Sequence, residues 1–384
     1  MSDSHDQVAD DEGLLDAMLS DLAGVAQLYQ PTNYWDYYAG ILVPELRSQG
    51  LRDFRNRRGS KLVSFGASEP RERFRDVSLE GIRFLNNKFS KRLPFWSNLL
   101  KSANGILNKT LDNLPANTIC RTSIDDIYAM AFEQAHAVGM RRGSKPLSDI
   151  ESSRLGHPGA GFEVDGKFYT PNFLRYYLRY TYCSQHMDFS GRKVISELAS
   201  GYGGQAEVLK KLHKDLTILL FDLPPQLYVC EMYLKSVFPD DVVSFRRTRE
   251  MTSLENLKKG KIYIFGNWQF PLLADIPVDL FTSAISLDEI DRPEALNYLR
   301  IASTRAENVY LAQNIGNVTL AAAPGKPGVL ERVVWQDYEN SLMENFDILA
   351  KSPLLNPGKP VSSYDPLNPH LEAFWRRKTE HQVF

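Results

Sequence analysis

The run Glu197-Leu198-Ala199-Ser200-Gly201-Tyr202-Gly203-Gly204-Gln205, followed by Leu219-Leu220-Phe221-Asp222, has the residue types and spacing of a nucleotide-binding strand, turn and helix with an acidic hook. Lys193 to Leu198 is apolar enough for a buried parallel strand, the glycines permit a tight turn, and helical spacing resumes over Ala206 to Leu212. Asp222 follows Gly201 by 21 positions, where the second strand of such a unit ends and a carboxylate can accept hydrogen bonds from ribose hydroxyls.

Two cofactors fit the turn. Gly201-x-Gly203-x-x-Ala206 satisfies the loose dinucleotide pattern, so NAD and hydride transfer stay open on the glycines alone. Glu197 argues the other way: a carboxylate at that strand end would stand beside a pyrophosphate, where negative charge is unfavourable, whereas it can face the cationic methionine part of S-adenosylmethionine. A glycine turn that binds nothing is the third reading.

Elements must hold these groups in place, and their pattern changes near residue 186. Before it the spacing is mainly helical: Leu15, Met18, Leu22 and Val25 form one stripe, Asn33 to Leu46 a second helix ending near Pro44, and Val77 to Asn87 and Phe95 to Ile106 two more. Ser123-Ile124-Asp125-Asp126 has capping-box spacing and opens a helix to Val138. Glycines and prolines from Gly139 to Gly161 mark a long connection holding His157, and Pro171 to Gln185 is a helix carrying Arg175, Tyr176, Arg179 and Tyr180. After residue 190, strands alternate with helices as in a parallel sheet covered on both faces. Val194 to Leu198, Thr217 to Phe221, Val242 to Phe245, Lys261 to Phe265, Asp279 to Ser286 and Asn308 to Ala312 read as strands, with Arg332 to Trp335 as an edge strand. The expected division is an acidic, disordered tail (1–12), a mainly helical acceptor-recognition, lid or dimerisation domain (13–185) and a Rossmann-like domain (186–384).

Composition bounds the partners. The 384 residues, 43% of them hydrophobic, can bury a large core, and the net charge of −2 leaves no electrostatic footprint for nucleic acid. Apolar runs fall far short of the roughly 18 residues that a membrane span needs, and the acidic first residues are unlike a signal peptide, so a cytoplasmic protein with no membrane partner is expected. Cys120, Cys183 and Cys230 are odd in number and far apart, as for reduced thiols, and no histidine spacing resembles a zinc site. The basic run Arg52 to Lys61 reads as a solvated face or loop.

Four segments together, Glu197 to Gln205, Phe221 to Leu227, Ile264-Phe265-Gly266-Asn267-Trp268 and Asp279 to Ser286, resemble a bacterial family of sugar O-methyltransferases within the class I S-adenosylmethionine-dependent superfamily. The resemblance spans about Ser148 to Trp335, with Ala199 standing where the wider class has its first glycine. It implies a Rossmann-like methyltransferase sheet with helices on both faces, preceded by a mainly helical region. It also implies cofactor contacts from Glu197, Ala199, Ser200, Gly201, Tyr202, Gly203, Gln205, Asp222, Leu223, Gly266, Asn267, Trp268, Ser283, Ala284 and Arg179. Asp222 would hold the ribose, Asn267 and Trp268 the adenine, and Arg175 or Arg179 the cofactor carboxylate. The acceptor would be a small molecule, a sugar or other natural-product metabolite; a homodimer is compatible with this.

Methyl transfer to a hydroxyl needs an in-line approach and a base, which typically contributes about 10²- to 10⁴-fold. By chain position the candidates are Asp288 and Glu289, beyond the fourth strand, and His157 in the long connection. Two adjacent carboxylates point apart on most backbones, so no metal is expected there. Tyr34, Trp35, Tyr37, Tyr38, Phe95 and Trp96 could stack on a sugar ring or pack helices. An amine or phenolic acceptor, a dehydrogenase, and a non-catalytic adenosine-binding module are the alternatives.

Overall fold

The computed structural model describes residues 7–57, 65–66, 74–78, 119–315, 318–357 and 370–379. The expected helix at Phe95 to Ile106, with Trp96, lies outside them, as does most of Val77 to Asn87.

Alternation of side chains builds the central layer. Strands β5 (Val194–Leu198), β6 (Thr217–Asp222), β8 (Ile262–Gly266), β9 (Val278–Ala284) and β10 (Ala306–Asn314) run parallel, with the short β7 (Val242–Val243) parallel at one edge. At the other edge β12 (His370–Arg377) lies antiparallel to β10, and β11 (Phe346–Pro353) antiparallel to β12. The order is β11-β12-β10-β9-β5-β6-β8-β7. Ile218 and Leu220 project to one face, Leu219 and Phe221 to the other, and both faces are covered, so the strands read as unbroken apolar runs.

Helices α4 (Pro171–Cys183), α5 (Gly204–Leu212) and α6 (Pro224–Val237) cover the first face; α7 (Arg292–Arg305), α8 (Trp335–Leu342) and a 3-10 segment at Asn267–Asp275 cover the second. This is the Rossmann-like α/β architecture expected from the sequence. From β5 the chain moves outward to β6 and β8, then returns to β9 on the other side, so the topological switch point falls between β5 and β9.

The edge differs from the expectation. Arg332 to Trp335 is no strand: Trp335 opens α8, because Asp337 accepts from the Val334 N–H at 3.0 Å and starts a helix there. The closing strands are β11 and β12.

The N-terminal part comprises α1 (Glu12–Ala23), α2 (Asn33–Gln49) and α3 (Ile124–Arg141), with strand pairs β1 (Phe74–Ser78) with β2 (Ile119–Ser123) and β3 (Phe162–Val164) with β4 (Lys167–Tyr169). Its apolar residues join the core of the sheet's first face, where Leu14, Met18, Leu42 and Phe54 belong to one cluster with Ile195, Ile218 and Ile264. Part of the supposed acidic tail is docked. Val8 is buried, the Asp11 N–H donates to the Tyr228 hydroxyl at 2.9 Å, and Asp11 pairs with Arg246 and caps α1. Arg55 corrects the reading of the basic run as solvated: it is fully buried, with its guanidinium over the rings of Tyr202 and Tyr233. Pro44 sits inside α2 without ending it.

Candidate active site at the carboxyl ends of the strands

The turn after β5 is bent by backbone rather than ligand. Ala199, Gly201 and Gly203 take φ of 63°, 57° and 88°, the left-handed region that glycine enters freely and alanine enters at roughly 1–2 kcal/mol. Ala199 is held there by its N–H, which donates to the Phe221 carbonyl at 2.8 Å. A Cβ on Gly203 would stand 2.8 Å from Leu234 Cγ, so α6 packs directly on the turn. The first N–H groups of α5 then face the strand ends without intrahelical acceptors.

Asp222 ties the turn to β6. One carboxylate oxygen accepts from the Gly201 N–H at 2.9 Å, the other from the Leu223 N–H at 2.8 Å. Burial pushes its carboxyl up to about 7, against the pull of these N–H groups. Glu197 is buried beside it with Oε2 unpartnered. Burial, opposed by Arg179 and reinforced by Asp222, pushes it up to about 8. Arg179 is buried over the Tyr176 ring, and Arg175 has its ionisation lowered by burial and by Arg179. No carboxylate is ion-paired with Arg175 among the described residues.

Asn267 forms the third wall. Its Nδ2 donates to the Tyr29 carbonyl at 2.7 Å and to the Tyr298 hydroxyl at 2.8 Å, and its Oδ1 has no partner. Leu28, Pro31 and Trp35 from the N-terminal segment close the space against Leu198, Ala199, Asp222, Leu223 and Asn267, leaving a cavity of about 40 Å³. That is room for about one water.

Beyond β9 the backbone is strained again: Ile285, a β-branched residue, has φ of 56°. Ala199 and Ile285 thus place left-handed non-glycine residues at the ends of two adjacent strands, where strain tends to accompany function. Asp288 is buried, with Oδ1 unpartnered and its carboxyl raised by burial to about 6. Glu289 is only partly buried, and its Oε1 accepts from the Tyr34 hydroxyl at 3.1 Å. Desolvation and the nearby Asp288 and Asp222 push Glu289 up to about 8.

No family model and no curated protein matches this chain. Solved structures that align with it include the pyocyanin biosynthetic protein PhzM (11% identity, 50% of this chain and 52% of that one, TM-score 0.33). The mitomycin 7-O-methyltransferase MmcR aligns at 14% identity over 66% of this chain and 68% of that one, TM-score 0.33. The magnesium protoporphyrin IX methyltransferase ChlM from Synechocystis PCC 6803, with bound SAH, aligns at 10% identity over 54% of this chain and 84% of that one, TM-score 0.37. The chain spans about half the length of the first of these. Likenesses this loose transfer no activity, and the fold stands on the strand order above.

The structure gathers Ala199, Asp222, Leu223 and Asn267 around one cleft, with Glu197 and Glu289 each near enough to Asp222 for their charges to repel. Other expected contacts are spent elsewhere. Tyr202 turns into the aromatic core against Phe54, Tyr176 and Tyr233. Trp268 folds across Gly266 and meets Phe245 edge-on at 6.0 Å, away from the walls of the cavity. Gln205 Nε2 donates to the Tyr176 carbonyl at 3.2 Å, whereas Ser200, whose Oγ lies 3.6 Å from Cys230 Sγ, stays at the site as a hydrogen-bond partner of Asp222. Ser283 is fully buried, its hydroxyl 2.8 Å from that of Ser286 and its carbonyl bound by Gln313, so it locks the turn that half-buried Ala284 enters. His157 pairs with Asp53 at 2.6 Å; no hydrogen bond or ion pair joins it to Asp288 or Glu289. Tyr29 is a site residue that the sequence hides, and Tyr34, expected to stack on a sugar ring or pack a helix, reaches Glu289 through its hydroxyl instead.

Proposed function

We propose that this chain is an S-adenosylmethionine-dependent methyltransferase acting on a hydroxyl of a small molecule. The observation that carries the reading is Asp222: a carboxylate at the end of β6, one oxygen of which holds the glycine turn after β5 through the Gly201 N–H while the other accepts from the Leu223 N–H, beside the topological switch point. The unpartnered polar atoms match the cofactor's groups in kind, while the enclosed space of about 40 Å³ is too small for a nucleoside, so the Leu28 to Pro31 segment would have to draw back to admit it. Asp222 would use its remaining lone pairs on two ribose hydroxyls, Asn267 Oδ1 would accept from an adenine amine, Glu197 Oε2 would take an ammonium, and Arg175 with the N-terminus of α5 would hold a carboxylate. Glu197, which a neighbouring cation would help to ionise, suits the methionine ammonium better than the pyrophosphate of NAD.

When bound, the cofactor supplies a methyl group activated by its sulfonium charge. The chain's residues must then orient the acceptor and remove its proton. Glu289, partly exposed, is the proposed base: with its carboxyl raised to about 8 it accepts a proton more readily than an ordinary carboxylate, and the ionised form that does so grows as pH rises toward that value. Asp288, buried beneath, is assigned no proton transfer. A sugar or sugar-containing metabolite is the acceptor that the sequence resemblance favours; the rings of Tyr34, Trp35 and Tyr38, at centroid distances of 4.8 to 6.3 Å, support a phenol as the second reading. We place the enzyme in the cytoplasm, without nucleic-acid or membrane partners. No helix among the described residues is long and apolar enough to cross a membrane.

Calorimetric titration tests the cofactor. S-adenosylhomocysteine is expected to bind and NAD to give no heat, and the reverse overturns the reading. Transfer of labelled methyl to a panel of sugars, nucleotide sugars and phenols tests the acceptor.

A further inference from the structure

Residue 34 lies 255 positions from Glu289 in the chain, yet their side chains meet. The contact is built from both sides. Helix α2 is seated over the strand ends by Asn33, whose Nδ2 donates to the carbonyls of Lys326 at 2.8 Å and Gly328 at 2.7 Å and whose Oδ1 accepts from the Gly325 N–H. The Tyr34 ring is held by Tyr38 at 4.8 Å and Trp35 at 5.3 Å. From this anchored ring the hydroxyl reaches a carboxylate on a flexible stem, and each partner is next in sequence to a residue, Trp35 or Ile290, that lines the cavity described above.

We propose that Tyr34 is the positioning residue of the acceptor site: its hydroxyl holds Oε1 of Glu289 so that Oε2 is left to receive the acceptor's proton. The proposal rests on the methyltransferase reading above. The groups facing Glu289 give this contact its importance. Asp288 on the same turn and Asp222 from β6 oppose ionisation, Tyr38 acts on Tyr34 rather than on the carboxylate, and the Tyr34 hydroxyl is the donor that favours the charged form. A proton accepted by Glu289 leaves the carboxyl neutral and the Tyr34 O–H intact, so no second proton moves.

The test reads the carboxyl directly. Carbodiimide activates the protonated form, so coupling of glycinamide to Glu289 in the full chain, followed across pH by peptide mass spectrometry, gives its half-labelling pH, with Glu289→Gln as the blank. Tyr34→Phe keeps the ring and should raise that midpoint by about one pH unit, since a hydrogen bond to a charged group is worth about that much. S-adenosylhomocysteine binding should change little, because the contact makes no hydrogen bond to Asp222 or Asn267. An unchanged midpoint in a folded Tyr34→Phe overturns the proposal. The contact is also read from the other side. Acetylation of Tyr34 by N-acetylimidazole should increase in Glu289→Gln, and an unchanged rate overturns the proposal even if the Phe variant fails to fold. A raised midpoint in Tyr34→Phe together with a wild-type chain that binds no S-adenosylhomocysteine would sink the methyltransferase reading while leaving the pair intact.

Discussion

The nucleoside side and the acceptor side of this cleft are assembled in different ways. On the nucleoside side, Gly201 and Asp222 are 21 residues apart and belong to one strand-turn-helix-strand unit, whose geometry follows from hydrogen bonding and glycine turns. On the acceptor side, Tyr34 and Glu289 come from distant parts of the chain and meet only because α2 docks across the strand ends. The first is a local device reused wherever the unit forms; the second depends on the whole fold. Binding of nucleoside and transfer to acceptor should therefore separate under mutation.

The largest separation is expected at Glu289. Glu289→Gln should lower methyl transfer by about 10²- to 10⁴-fold, the usual worth of a positioned base, while calorimetry finds S-adenosylhomocysteine affinity nearly unchanged. A parallel loss of both would merge the two sides.

Asp222→Ala should act the other way. Removing one partner of a buried, hydrogen-bonded charge costs about 2–5 kcal/mol, which titration with S-adenosylhomocysteine would register as severely weakened binding. Full-strength binding would remove the acidic hook from the site.

Stability against pH should show a smaller, graded effect. Glu197 and Asp222 have folded-state values of about 8 and 7, above the ordinary carboxylate range, so between about pH 4 and 8 the folded chain holds protons that the unfolded chain has released. Stability of the ligand-free chain is then highest at the acidic end of that window and falls as pH rises through the folded values. For each such group the slope approaches about 1.4 kcal/mol per pH unit. Denaturant titrations should find a shallower fall in Glu197→Gln; an identical slope would mean that Glu197 ionises normally.

The smallest change expected is at Ala199. With φ of 63°, Ala199→Gly should stabilise the chain by about 1 kcal/mol in thermal unfolding. A loss of stability would show that the alanine methyl makes contacts outweighing the strain.

Much of the sheet was legible because buried parallel strands announce themselves. Val194–Leu198 was read with the bounds observed, and β6, β8, β9 and β10 shifted by only a few residues. The β3–β4 hairpin was passed over inside a long connection, although Asp165-Gly166 between Phe162–Val164 and Lys167–Tyr169 is a two-residue turn signal, with both turn residues at positive φ. Arg332 to Trp335 misled because a short apolar run is ambiguous until the Asp337 cap is weighed.

Within the site, residue types were readable and orientations were not. Trp268, Tyr202 and Ser283 belong to the right segments, yet their side chains pack against Phe245, Tyr233 and Ser286. A segment's place in the sheet follows from local periodicity; the direction of one side chain depends on which distant surface covers it.

The sequence by itself determined the glycine turn, the acidic residue one strand later and the succession of the parallel strands along the chain, because backbone hydrogen bonding and burial act over short separations. Tertiary structure alone decided that Tyr29 covers Asn267, that Tyr34 meets Glu289 and that His157 is bound to Asp53 at the surface. Those contacts join residues 104 to 255 positions apart, and the packing that brings them together leaves no periodic trace in the chain.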